Sequence, residues 1–145
     1  MIAITGATGQ LGRLVIEQLL KTVPANQIVA IVRNPAKAEA LSQQGIVVRQ
    51  GDYTDLAALT TALKGVEKLL LISSSEVGQR ATQHQNVINA AKAAGVTFIA
   101  YTSLLHADNS PLGLHVEHVA TEKALAASDI PYALLRNGSH TENYL

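Results

Sequence analysis

Apolar residues along this chain fall into two alternating patterns. Six short runs are almost continuously apolar: Ile2-Ala3-Ile4-Thr5, Ile28-Val29-Ala30-Ile31-Val32, Ile46-Val47-Val48-Arg49, Lys68-Leu69-Leu70-Leu71-Ile72, Phe98-Ile99-Ala100-Tyr101 and Tyr132-Ala133-Leu134-Leu135. A strand with one wet face alternates apolar and polar residues, whereas a strand covered on both faces has no polar side to show. The runs therefore predict a parallel sheet with helices on both faces. Between them, apolar residues take helical spacing. From Gln10 to Lys21, Leu11, Leu14, Val15, Leu19 and Leu20 make one stripe, with Ile16 beside it. A second helix is punctuated by Asn34 as N-cap, Pro35 in its first turn and Gly45 past its end. A third runs from about Asp55 to Lys64 and is closed by Gly65. A fourth runs from about Val77 to Ala94 and stops at Gly95, and a fifth from about His115 to Ser128, before Pro131. The segment from Leu105 to Leu114 reads as a loop. The order is βαβαβαβαβαβ. It belongs to the α/β class, as a Rossmann-type doubly wound sheet with right-handed crossovers.

Composition narrows the chemistry. The chain has 145 residues, of which 48% are hydrophobic and 15% charged. That is the profile of one folded domain, not of a disordered tail. Lys+Arg and Asp+Glu both number 11, so no charge imbalance marks the chain for nucleic acid or an anionic surface. The absence of Cys excludes disulfides, thiolate metal sites and a Cys nucleophile. No apolar run has the length of a membrane span, and no basic segment precedes an apolar one at the N-terminus. A cytoplasmic setting is the expectation.

The most informative segment is Thr5-Gly6-Ala7-Thr8-Gly9-Gln10-Leu11-Gly12, between the first strand and the first helix. Gly6 permits a tight turn off the strand. Gly9 lets backbone amides approach a pyrophosphate, and Gly12 lets the helix pack closely on the sheet. The helix N-terminus adds unpaired N–H groups and a positive dipole end. Gly6, Ala7, Thr8, Gly9, Gln10, Leu11 and Gly12 are therefore candidate dinucleotide contacts. A phosphate loop of the nucleoside-triphosphate type is disfavoured, because Gly9 is not followed by Gly-Lys-Ser/Thr.

The end of the second strand bears on cofactor choice. A site for NAD usually places a carboxylate there to bond the ribose 2′-hydroxyl. This chain has Arg33, and no carboxylate lies between Glu17 and Glu39. A guanidinium suits the 2′-phosphate of NADP, so NADPH is expected. The competing reading of Arg33 is a solvated surface residue. Asp52, after the third strand, either accepts from the adenine amino group or forms a turn. Ser73, Ser74 and Ser75 end the fourth strand, where their hydroxyls either face the cofactor or satisfy a turn.

Together, the glycine octapeptide, Arg33-Asn34-Pro35 after the second strand and Gly51-Asp52 after the third resemble the NmrA-like group of atypical short-chain dehydrogenase/reductases. The segment Leu135-Arg136-Asn137-Gly138 with Glu142-Asn143-Tyr144 resembles that group's motif after its sixth strand. The resemblance spans the whole chain. It implies a reductase that uses NADPH to pass hydride to a quinone. It also implies that residues 1–145 form an NADP-binding Rossmann domain, the N-terminal part of a longer enzyme whose substrate domain is largely absent here.

Short-chain dehydrogenases typically carry Tyr-x-x-x-Lys on the helix after strand five. Here Lys123 stands on the matching helix and Val119 occupies the Tyr position. The resemblance implies that Lys123 positions the nicotinamide ribose; otherwise it is a solvated lysine. Without the phenol, carbonyl reduction lacks its general acid, whereas a quinone accepts hydride as a stabilised anion that water can protonate. His118 is a candidate proton relay or an ordinary surface histidine. Asn137, Gly138, Ser139, His140, Thr141, Glu142 and Asn143 either cover the nicotinamide and acceptor or form a plain polar loop. No metal is expected, since His115 and His118 have no third ligand at a recognisable spacing. Two other functions fit the same residues: a non-catalytic NADP(H)-binding redox sensor, and a reductase of aromatic, phenylpropanoid-like substrates.

Overall fold

A computed structural model describes residues 1–7, 10–72, 80–103 and 120–136. The strands are β1 (Ile2–Thr5), β2 (Ile28–Val32), β3 (Val47–Gln50), β4 (Lys68–Ile72), β5 (Phe98–Ser103) and β6 (Tyr132–Arg136). They form one parallel sheet in the order β3-β2-β1-β4-β5-β6. The helices are α1 (Gln10–Leu19), α2 (Glu39–Gln43), α3 (Leu56–Ala62), α4 (Arg80–Ala94) and α5, at residues 120–127. This is the Rossmann-type arrangement expected from the run pattern.

The continuous apolar runs divide between the two faces of the sheet. Ala3, Val29, Ile31, Leu69 and Leu71 pack on one side with Leu59 and Leu63 of the α3 segment, Val87 and Ile88 of α4, and Leu125 of α5. Ile4, Ile28, Ala30, Val32, Leu70 and Ile72 pack on the other with Val15, Ile16 and Leu19 of α1 and with Leu41 of α2. Consecutive residues thus enter opposite cores, as the two-residue period of a strand requires. Burial on both faces is the physical reason these strands do not alternate in polarity.

Local sequence signals place most boundaries. Asp55 caps α3, accepting from the Ala58 amide at 3.0 Å. Arg49 on β3 supplies the opposite end, its guanidinium donating to the carbonyls of Ala62 (2.9 Å) and Lys64 (2.6 Å). A cation at these orphan carbonyls also suits the negative end of the helix dipole. Two expectations need correction. The segment after Asn34 is not one helix: Asn34 caps a 3₁₀ turn over Pro35–Ala38, and α2 is only five residues long. Asn34 and Pro35 did fix the start, but the short segment must join β2 to the adjacent β3. β3 also begins one residue later than Ile46. Residues 77–79 and 115–119 of the expected fourth and fifth helices lie outside the described residues. Among the described residues, no helix is long and apolar enough to cross a membrane.

Leu70 has almost no exposed surface and packs in the core shared by α1, whereas Leu14 on α1 is 54% exposed. Leu70→Ala should cost about 2–5 kcal/mol of unfolding free energy, and Leu14→Ala within about 0.5 kcal/mol of nothing. Urea denaturation of both variants checks this; equal effects would contradict the two-sided core.

Candidate functional site

The sheet order reverses direction between β1 and β4. β1 connects through α1 to β2 on one side, while β4 begins the run toward β5 and β6 on the other. Connections therefore leave on opposite faces, and a crevice opens at the carboxyl ends of these two strands. The β1–β4 ladder ends at Ile4 opposite Leu70. Beyond it, the fully buried Thr5 hydroxyl takes over. Its Oγ1 accepts from the Ile72 amide at 3.0 Å and donates to the Leu70 carbonyl at 3.5 Å.

The chain then turns sharply at Gly6, with φ of +62°, a region a side chain disfavours. The first turn of α1 is seated on this bend. A Cβ on Gly12 would run into the Gly6 carbonyl oxygen and stand 2.8 Å from the Ala7 Cα. Both obstacles are backbone, so neither can swing aside. Gly12 is thus a requirement of the packing, and Ala7 beside it has no exposed surface. The result is a helix N-terminus held against the end of β1; the first amides of a helix have no partner within it. Thr8 and Gly9 lie outside the described residues, as do the side chains of Gln10 and Leu11.

Arg33 leaves β2 at the same edge and is exposed. Its carbonyl accepts from Gln50 Nε2 at 3.3 Å, and the Gly51 amide donates to the Val32 carbonyl at 2.9 Å, so the ends of β2 and β3 are tied together. That tie brings Asp52 beside Arg33. Asp52 Oδ1 accepts from the Thr54 amide (2.9 Å) and the Thr54 hydroxyl (2.8 Å). The two bonds from Thr54, and more weakly the Arg33 charge, hold its carboxyl below the usual value. The turn reading of Asp52 is therefore the one with a geometric basis here, and its carboxylate remains exposed at the edge.

The described structure thus gathers Gly6, Ala7, Gly12, Arg33 and Asp52 along the carboxyl edge of β1, β2 and β3. Lys123 is exposed on α5, whose buried face carries Thr121 and Leu125. Ser73, Ser74, Ser75, His118, Asn137, Gly138, Ser139, His140, Thr141, Glu142 and Asn143 lie outside the described residues. Among the described residues, no group of three or more His, Asp or Glu is placed to hold a metal ion.

Sequence reasoning passed over three residues. Tyr53 sits half-buried behind Asp52, and Asn86 Nδ2 donates to the Tyr53 carbonyl at 2.8 Å. The available signal was an aromatic residue in a polar turn of a chain with only four Tyr, one Phe and no Trp. His84 is fully buried on α4, with Nδ1 3.0 Å from the Thr121 hydroxyl and its ring edge-on to Tyr101.

Comparison with known proteins adds an independent line. The sequence profile of the NAD(P)H-binding family matches residues 6–144. Quinone oxidoreductase 2 of Escherichia coli (strain K12) is 79% identical over 145 residues, covering 100% of this chain and 51% of that protein. An NmrA-like family domain-containing oxidoreductase of Aspergillus flavus is 33% identical, covering 97% of this chain and 48% of its own length. The crystal structure of the NADPH-dependent quinone oxidoreductase of Escherichia coli complexed with NADPH superposes with a TM-score of 0.88, over 99% of this chain and 51% of that one, at 79% identity. The chain spans about half the length of the relatives it matches.

The depressed carboxyl of Asp52 makes a pH prediction. A group whose folded pKa lies below its unfolded value of 3.8 stabilises the fold above that value, and the gain is lost as pH falls through the folded pKa. Wild type should therefore be more stable than Asp52→Asn near neutral pH, with the gap closing below about pH 4. Thermal melts across pH check this, and a gap independent of pH would contradict it.

Proposed function

The chain belongs to the NAD(P)H-binding family, and from that premise we propose that it is the cofactor-binding unit of an NADPH-dependent quinone reductase. One observation carries the choice of acceptor: the identity with the Escherichia coli quinone oxidoreductase, which extends over the whole of this chain. The fit of the cofactor rests on the chain's own geometry. The bend at Gly6 and the close approach at Gly12 seat the start of α1 against the end of β1, and a helix N-terminus in that place suits a pyrophosphate.

In this reading, residues from Gly6 to Gly12, including Thr8, Gly9, Gln10 and Leu11, hold the pyrophosphate through backbone N–H groups. Arg33 binds the 2′-phosphate with a charge-assisted fork that no neutral residue can match. Asp52 accepts from the adenine amino group with the capacity its turn leaves over. Ser73, Ser74 and Ser75 bond the cofactor ribose at the end of β4, and Lys123 bonds the ribose next to the nicotinamide. Asn137, Gly138, Ser139, His140, Thr141, Glu142 and Asn143 close over the reacting end, with His118 as an auxiliary proton carrier.

Bound NADPH supplies the hydride. The protein's part is to orient the two reactants and to exclude water until transfer is complete. Val119 stands where a proton-donating phenol would be needed for a ketone. A quinone does not impose that need: it takes up hydride to give a hydroquinone monoanion, which then takes a proton from water. The half of the relatives' length that this chain does not span is where the reading expects the acceptor pocket to be completed. A cytoplasmic setting accompanies this reading.

NADPH fluorescence tests the proposal. Adding protein should enhance the emission, and adding a simple quinone to the longer, relative-length protein should give a protein-dependent decay. Arg33→Ala should weaken NADPH about tenfold or more relative to NADH, the equivalent of one charge-assisted hydrogen bond. An unchanged NADPH-to-NADH ratio of dissociation constants would remove Arg33 from the 2′-phosphate site. Enhancement without decay in the longer protein would reject quinone reduction.

A further inference from the structure

The proposed cofactor contacts leave unused a phenol directly beneath the glycine turn. Tyr53 follows Asp52, and its hydroxyl donates to the Ile72 carbonyl at 3.5 Å. The same hydroxyl lies near the Thr5 side chain, whose single proton goes either to it or to the Leu70 carbonyl at 3.5 Å. It is 3.9 Å from the point a Cβ on Gly6 would occupy, so it forms part of the floor under the bend. The Tyr53 carbonyl is held from α4 by Asn86, at 2.8 Å. One residue therefore touches the end of β1, the end of β4 and the glycine turn, and is itself anchored to a helix on the opposite side of the crevice.

That position matters because the β1–β4 ladder has already stopped at Ile4 and Leu70. Past that pair, the side chains of Thr5 and Tyr53 join the two walls of the crevice. Gly6, where the chain bends, rests on Ile72 and on this hydroxyl. Burial raises the phenol above its ordinary value of 10.0, so it remains a neutral hydroxyl able to donate and accept at once.

We propose that Tyr53 is a positioning residue of the dinucleotide site: its hydroxyl clamps the ends of β1 and β4 beneath the glycine turn, and Asn86 holds that clamp in place from α4. The inference rests on the cofactor reading above and adds to it a residue that need not touch the cofactor. The ring of Tyr53 packs against the core shared with α3 and α4. Tyr53→Phe keeps that packing and removes only the hydroxyl, so ring and clamp are separable.

The test uses this chain, Tyr53→Phe, Asn86→Ala and the double variant. NADPH dissociation constants come from fluorescence titration, and melting temperatures are taken without cofactor. Tyr53→Phe should raise the dissociation constant about two- to tenfold, the range for one neutral hydrogen bond, and lower the cofactor-free melting temperature by only a few degrees. Asn86→Ala should also weaken NADPH, and the double variant should bind no worse than the weaker single one, because both act on one clamp. Two results overturn the clamp alone: normal wild-type binding with unchanged binding by Tyr53→Phe, or fully additive effects. A lowered melting temperature with unchanged affinity assigns the hydroxyl to stability and overturns it as well. Failure of wild type to bind NADPH rejects the cofactor reading, and the clamp with it.

Discussion

The approach of α1 to the end of β1 is the constraint on which the rest of the site depends. Gly12 allows the first turn of the helix to rest on the Gly6–Ala7 backbone, and no larger residue fits there. Because that contact is backbone against backbone, the helix N-terminus is fixed relative to the sheet with little freedom. The sheet itself is fixed by burial on both faces, which locks the parallel register from Ile2↔Ile28 to Ile4↔Leu70. The position of the helix N-terminus at the crevice then follows from packing alone.

The residues proposed to select the cofactor lie along the same edge. The ends of β2 and β3 are joined through the Val32 and Arg33 carbonyls, and this brings Arg33 and Asp52 to the same edge. Both residues are exposed at this edge. Asp52 is nevertheless committed in part to its own turn through Thr54. Arg33 is the residue at this edge whose charge opposes that of a phosphate.

Much of this was legible in the residues because the signals were local. Continuous apolar runs located all six strands, and the two-sided core explains why such runs mean a covered parallel sheet. Gly6 and Gly12 were readable because turn and helix packing impose them at fixed spacing. Tyr53, Asn86 and His84 were not readable, since their partners are 19, 33 and 37 residues away in the chain. No periodicity predicts a hydrogen bond between an α4 amide and the turn after β3. The split after Asn34 was hidden for a related reason. Its cap and proline signals are those of any helix, and only the short distance from β2 to β3 makes it a 3₁₀ turn followed by a brief α2.

The central claim is that a dinucleotide lies across the glycine turn at the β1–β4 crevice, with its adenosine end toward Arg33. Amide hydrogen exchange with and without NADPH tests it most directly, because exchange reports each segment separately. The account predicts added protection at residues 5–12, 32–34 and 52–54, with the far ends of the strands, around Ile2, Lys68 and Phe98, unchanged. Protection spread evenly over the chain, or confined to the amino ends of the strands, would contradict it.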